Sequence, residues 1–223
     1  DKNAILIYHY EQQTTIEACA FLLDQKQVVW KRKFTLKELS FYRDYQQLVL
    51  ANDGSLYCII EKNNRRPDQE EHHFKVFVSD HYNSGVRQFS IPVTEFLTYD
   101  VKFAFDNLNR QLVAAGLFSK KNKGRATGYF YLKVDPQQTE KYLLGYEPFD
   151  EGYINNILGK ESEKKKGITD LAIVETILRR DGGMLIAAER KREYERRTAA
   201  TGRYSRDDFS PYIVDYYYDD ICL

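Results

Sequence analysis

The chain has 223 residues, with 33 Lys plus Arg against 33 Asp plus Glu, so its formal net charge is zero. That balance lacks the basic excess a phosphate-binding surface needs and counts against a nucleic-acid partner. A hydrophobic fraction of 43% with 14% aromatics is enough for a packed core, and no apolar run approaches the ~20 residues of a spanning helix.

The N-terminal stretch offers three apolar runs, at residues 5–8, 19–23 and 28–32. The next segment is fuller. Runs at 47–51 and 56–61 flank the turn Asn52-Asp53-Gly54-Ser55, and further runs follow at 73–78 and 86–91. The same order recurs at 101–105 and 111–116 around Asp106-Asn107-Leu108-Asn109, then at 129–134 and 141–146. It recurs again at 173–178 and 184–189 around Arg180-Asp181-Gly182-Gly183, then at 214–218. Asn, Asp and Gly tolerate the positive φ of tight hairpin turns, so each unit reads as a hairpin followed by one or two further strands. On this pattern the N-terminal stretch is a unit without its first strand.

The turns at Asn52, Asp106 and Asp181 are 54 and 75 residues apart, and an insertion at 150–166 accounts for the longer interval. The pattern predicts an all-β fold: a β-propeller-like repeat of four-stranded antiparallel blades, present as a partial propeller. The blades fall at about 1–36, 45–93, 100–149 and 170–223, in one domain or a fragment of one. Met184 is the only methionine and an apolar strand-like run reaches Leu223, so the chain reads as a piece of a longer polypeptide.

Two segments depart from the strand pattern. In the insertion, Tyr153, Ile154, Ile157 and Leu158 recur at helical spacing, Gly159 offers a stop, and a mixed-charge run follows. A short surface helix with a solvated loop, or an inter-blade docking element, both fit. The second segment, residues 190–210, is rich in Arg and Tyr and reads as a long loop, either solvated or in contact with a partner. Arg and Tyr are favoured at protein interfaces, so the candidate partner-binding residues are Arg192, Tyr194, Arg196, Arg197 and Tyr204.

Catalytic signatures are missing from the sequence. It has no G-x-S-x-G, H-E-x-x-H, G-x-x-x-x-G-K-[ST] or G-x-G-x-x-G. His72 and His73 are adjacent and would face opposite sides of a strand, and His9 lies on one; only a weak surface site at His73, His81 and Asp80 merits consideration. Cys19, Cys58 and Cys222 have no metal or disulfide spacing and read as small buried hydrophobes. The acidic pairs Glu70-Glu71, Asp207-Asp208 and Asp219-Asp220 are glycosidase candidates by composition alone. No metal or other cofactor is expected.

Leu23-Asp24-Gln25-Lys26-Gln27-Val28-Val29-Trp30, Arg180-Asp181-Gly182-Gly183 and the Tyr-rich Tyr216-Tyr217-Tyr218-Asp219-Asp220-Ile221 carry a resemblance. They resemble blade motifs of the poorly characterised β-propeller-like repeat proteins of Bacteroidetes cell envelopes; the second and third units lack the tryptophan. The resemblance implies a cell-envelope location, periplasmic or outer-membrane-associated. The expected function is a non-catalytic scaffold or protein-interaction module of an envelope assembly. The alternative is a carbohydrate-binding or carbohydrate-cleaving propeller, with a glycan as ligand.

Overall fold

A computed structural model describes residues 3–9, 15–22, 26–35, 45–65, 71–80, 83, 85–120, 124–159, 167–197 and 212–222. The first sheet joins β1 (Asn3–His9), β2 (Thr15–Leu22) and β3 (Gln27–Thr35) in the order β1-β2-β3. The second joins β4 (Tyr45–Leu50), β5 (Leu56–Lys62), β6 (His73–Ser79) and β7 (Arg87–Pro92) in chain order. The third contains β8 (Leu97–Asp106) and β9 (Gln111–Ser119), followed after the short β10 (Arg125–Ala126) by β11 (Gly128–Val134) and β12 (Tyr142–Pro148). After the helix α1 (Glu151–Leu158), β13 (Ile168–Thr169) pairs with β10. The fourth sheet is β14 (Leu171–Leu178), β15 (Met184–Arg197) and β16 (Tyr212–Cys222), in that order. Every pairing is antiparallel, so the chain is all-β apart from one short helix among the described residues.

The sheets pack face to face in sequence order. On β5 the alternation of side chains splits the strand between two interfaces. Leu56, Cys58 and Ile60 meet Ala18 and Trp30 of the first sheet. Tyr57 and Ile59 meet the third sheet, in a core with Phe74, Phe103, Leu112 and Phe130. The strand β9 does the same one sheet later: Leu112 and Ala114 face the second sheet, while Leu117 joins Ile168, Leu171, Ile173 and Ala188. A strand covered on both faces has no polar alternation, which is why β5 and β9 read as continuous apolar runs. The outer strands β7 and β12 are largely exposed.

The first strands of the second, third and fourth sheets are tied together by side chains, and each carries a bulge near the tie. The register of β4 shifts between Tyr45 and Gln47, and the Gln47 amide then grips the β8 backbone, donating to Phe103 O at 2.8 Å and accepting from Phe103 N at 2.7 Å. The β8 register shifts between Tyr99 and Lys102, where Asp100 takes φ 51 and its carboxylate accepts from Ile173 N of β14. A bulge adds a residue without breaking the strand, so it re-aims a side chain toward the next sheet. This bulge also hid the start of β8, which begins at Leu97 and not at the expected 101.

The hairpin turns line up at one end of the stack. Asp53 Oδ1 accepts from Ser55 N, Asp106 Oδ1 from Leu108 N and Asn109 N, and Asp181 Oδ1 from Gly183 N. Gly54 and Gly182 take φ 83 and 82, the left-handed region that these turns require. The turns are held to the neighbouring sheets: Trp30 Nε1 of β3 donates to Gly54 O at 3.1 Å, Asn52 N to Asn107 Oδ1 of the next turn at 2.6 Å, and Tyr131 OH of β11 to Gly182 O at 3.0 Å.

The insertion contains a helix with a docking face. Asp150 caps α1 by accepting from Tyr153 N at 2.7 Å, and Gly159 ends it by donating its N–H to Asn155 O. Leu158 is buried, and Tyr153, Ile154 and Ile157 pack on the apolar cluster shared by the third and fourth sheets. The charge run at 161–166 lies outside the described residues.

Candidate functional site

Residues 190–197, expected within a loop, continue β15 as strand. The register of β15 runs from Leu178↔Met184 to Leu171↔Arg190 against β14, and from Ala188↔Cys222 to Arg197↔Tyr212 against β16. Beyond Lys191, whose N–H donates to Asp170 O at 2.9 Å, β15 pairs with β16 alone. A two-stranded ribbon therefore extends past the end of β14. Loop length misled the sequence reading here: the charged residues of 191–197 alternate with little apolar signal, and their strand state comes from pairing with the Tyr-rich β16.

The ribbon divides the expected contact residues. Positions two apart share a strand face, and directly opposed antiparallel residues share it too. Positions 192, 194 and 196 thus lie on one face, opposite Tyr217, Asp215 and Ile213. Position 197 lies on the other face, opposite Tyr212. Tyr204 lies outside the described residues, as do Asp207 and Asp208.

A cleft that the sequence reading missed opens between the second and third sheets at the turn end. It encloses about 370 Å3 and draws on four connections: Asp53 and Ser55 after β4, Asp80 after β6, Arg110 before β9, and Asp135 and Gln137 after β11. Its wall is Tyr57 stacked on Phe105, with ring centroids 5.1 Å apart. Asp80 is 3% exposed. Burial pushes its carboxyl up, but the Asn83 N–H at 2.8 Å, the Arg87 guanidinium at 3.1 Å and the Asn83 amide outweigh that and hold it below the usual carboxylate range. Arg87 also donates to Pro136 O at 3.1 Å, fastening the β11–β12 turn to the second sheet. Burial, helped by the nearby Asp53 charge, raises the Tyr57 hydroxyl, so it stays protonated. The sequence signal was present in the Asx turns, but which turns meet across sheets follows only from the stacking.

At the opposite end, His72, Glu61, Thr98 and Asn64 form a buried polar knot. His72 Nε2 lies 3.2 Å from Glu61 Oε1 and Nδ1 lies 3.1 Å from Phe96 O, while Thr98 Oγ1 donates to the same Glu61 oxygen. The Asn64 amide bonds both Thr98 N and Thr98 O. A hydroxyl, an imidazole and a carboxylate are the parts of a nucleophilic triad. Here Thr98 is 0% exposed and its hydroxyl donates its hydrogen bond to the carboxylate, so the knot fastens the β5–β6 loop to β8.

The remaining sequence candidates fall partly outside the described residues. His73 Nδ1 lies 2.6 Å from Glu71 O, and His81 and Glu70 lie outside the described residues. His9 ends β1, and Asp219 and Asp220 lie within β16. Cys19 and Cys58 are free and buried, and burial pushes the Cys58 thiol up to about 12. Among the described residues, no three or more His, Cys, Asp or Glu side chains are grouped to hold a metal ion, and no helix is long and apolar enough to cross a membrane. In comparisons with known proteins, no family model matches this chain, and no curated protein does.

Proposed function

We propose that this chain is a non-catalytic scaffold whose stacked sheets are blades of a propeller-like repeat, and that it binds a protein partner through the β15–β16 ribbon. The ribbon carries this reading. It is a paired element anchored in the core at one end, and its 192, 194 and 196 positions bring Arg, Tyr and Arg to one face. Arg and Tyr anchors on a preorganised element supply affinity at low ordering cost. The propeller reading is supported by sheets that bury both faces and by first strands that touch in succession. Placement in a bacterial cell-envelope assembly is supported by the blade-like motifs at 23–30, 180–183 and 216–221.

The test is cross-linked affinity purification of the full-length protein from its native cells, with mass-spectrometric identification. A stoichiometric set of envelope proteins is expected with the wild type. Combined R192A, Y194A and R196A should reduce its recovery at least tenfold, while R197A, on the opposite face, should not. Equal recovery with the triple variant, at unchanged β-type circular dichroism, would overturn the ribbon as the contact.

A further inference from the structure

We propose that the cleft between the second and third sheets binds a neutral sugar ring, as a free monosaccharide or as the terminal residue of a glycan. This inference is independent of the ribbon. The floor of the cleft is buried: Ser55, Tyr57 and Asp80 line it and are 4%, 3% and 3% exposed. Around that floor, the polar groups are set with capacity to spare. Asp53 and Asp135 each commit Oδ1 to a turn N–H, from Ser55 at 2.9 Å and Gln137 at 2.8 Å. Among the described residues, the second oxygen of each carboxylate receives no hydrogen bond. Arg110, held at φ 58 in the β8–β9 turn, makes no ion pair among the described residues.

Turn-held carboxylate acceptors and the exposed Arg110 donor therefore line one cleft. A simple cation would meet the carboxylates but also the Arg110 guanidinium, and a simple anion would meet Asp53, Asp80 and Asp135. A ring bearing adjacent hydroxyls satisfies both kinds of group, because each hydroxyl donates one hydrogen bond and accepts others. Its C–H face has an apolar wall in Phe105, which is half-buried against Tyr57. The volume, about 370 Å3, lies at the small end of the roughly 300–1,000 Å3 range of small-molecule sites.

The experiment is saturation-transfer difference NMR on the whole chain with methyl glycosides of glucose, galactose, mannose and N-acetylglucosamine. At least one glycoside should receive saturation, and its Kd should rise at least tenfold in D53N combined with D135N. Because Asp53 and Asp135 also brace turns, R110G is the second variant: glycine keeps the positive φ and removes only the guanidinium. It should also weaken binding at least tenfold with the thermal midpoint unchanged. An oligosaccharide ending in the same sugar that binds tighter identifies a glycan terminus, and equal binding identifies a free sugar; either supports the site. No saturation of any glycoside overturns the proposal, as does binding unchanged in both variants, or a cleft occupied by methylguanidinium in preference to every sugar.

Discussion

Gly128 and Gly145 stand in adjacent strands of the third sheet and meet opposite surroundings. A Cβ on Gly128 would fall against the Glu147 carbonyl and the Phe118 ring, whereas a Cβ on Gly145 meets nothing within 4 Å. The Phe118 ring occupies the room that glycine leaves, and it stacks edge-on against Tyr146 at 5.4 Å and tilted against Phe96 at 4.6 Å. Backbone and a packed ring cannot give way cheaply. G128A should therefore cost about 1–3 kcal/mol, the usual range for overpacking. G145A should stay within about 0.5 kcal/mol. Urea midpoints of the two variants check this, and similar midpoints would show that the Phe118 cluster repacks freely. Neither glycine is distinguishable from the other in the sequence, since the difference lies in a ring ten residues before one of them and a carbonyl on the neighbouring strand.

The repeated element is a hairpin closed by an Asx turn, and its acid sensitivity follows from Asp106. Burial pushes that carboxyl up, but the Asn109 amide at 2.7 Å, the N–H groups of Asn109 and Leu108 and the Lys133 charge together hold it below the usual range. The folded pKa is thus lower than the unfolded value of about 3.9. Its stabilisation is present in full above that value and is lost as pH falls through the folded pKa. D106A should be destabilised by about 1.5–3 kcal/mol at pH 7, the usual contribution of hydrogen bonds to a charged group. The gap to wild type should narrow below about pH 4, as measured by denaturant melts from pH 7 to pH 3. A gap that stays constant over that range would show that the carboxylate charge is not its source. Turns of this kind, with the apolar runs beside them, are what made the strands legible: the runs around Asn52, Asp106 and Asp181 all became hairpins. The bulges at Gln47 and Asp100 were not legible, because a bulge interrupts alternation without any residue type that marks it. The length of β15 was also hidden, because charged residues on a ribbon resemble a solvated loop. The cleft was hidden for a third reason, since its lining is gathered from turns that are far apart in the chain.

Across the whole molecule, stability rests on contacts between neighbouring sheets. Stacked units that touch only their neighbours behave as a sum of unit and interface contributions, and they open from the ends. The second and third sheets share the largest apolar cluster, so amides of β5 and β9 should exchange slowest with solvent deuterium. Amides of the first sheet, which among the described residues meets the second through Ala18 and Trp30, should exchange at least tenfold faster. Native-state hydrogen exchange read by mass spectrometry measures this, and uniform protection would show a single cooperative unit. The fourth sheet gives the molecule a mechanical property. The strand β15 runs from Met184 to Arg197, so the ribbon and the core share one strand, with a register shift against β16 between Glu189 and Lys191. Ala188 and Arg190, near its middle, are 0% and 2% exposed, and Arg190 Nε donates to Thr169 O at 3.3 Å. A pull on the ribbon tip travels along the strand axis and loads the β14–β15 ladder in shear. Its hydrogen bonds then bear the tension together, whereas a pull across the strands would peel them apart one after another.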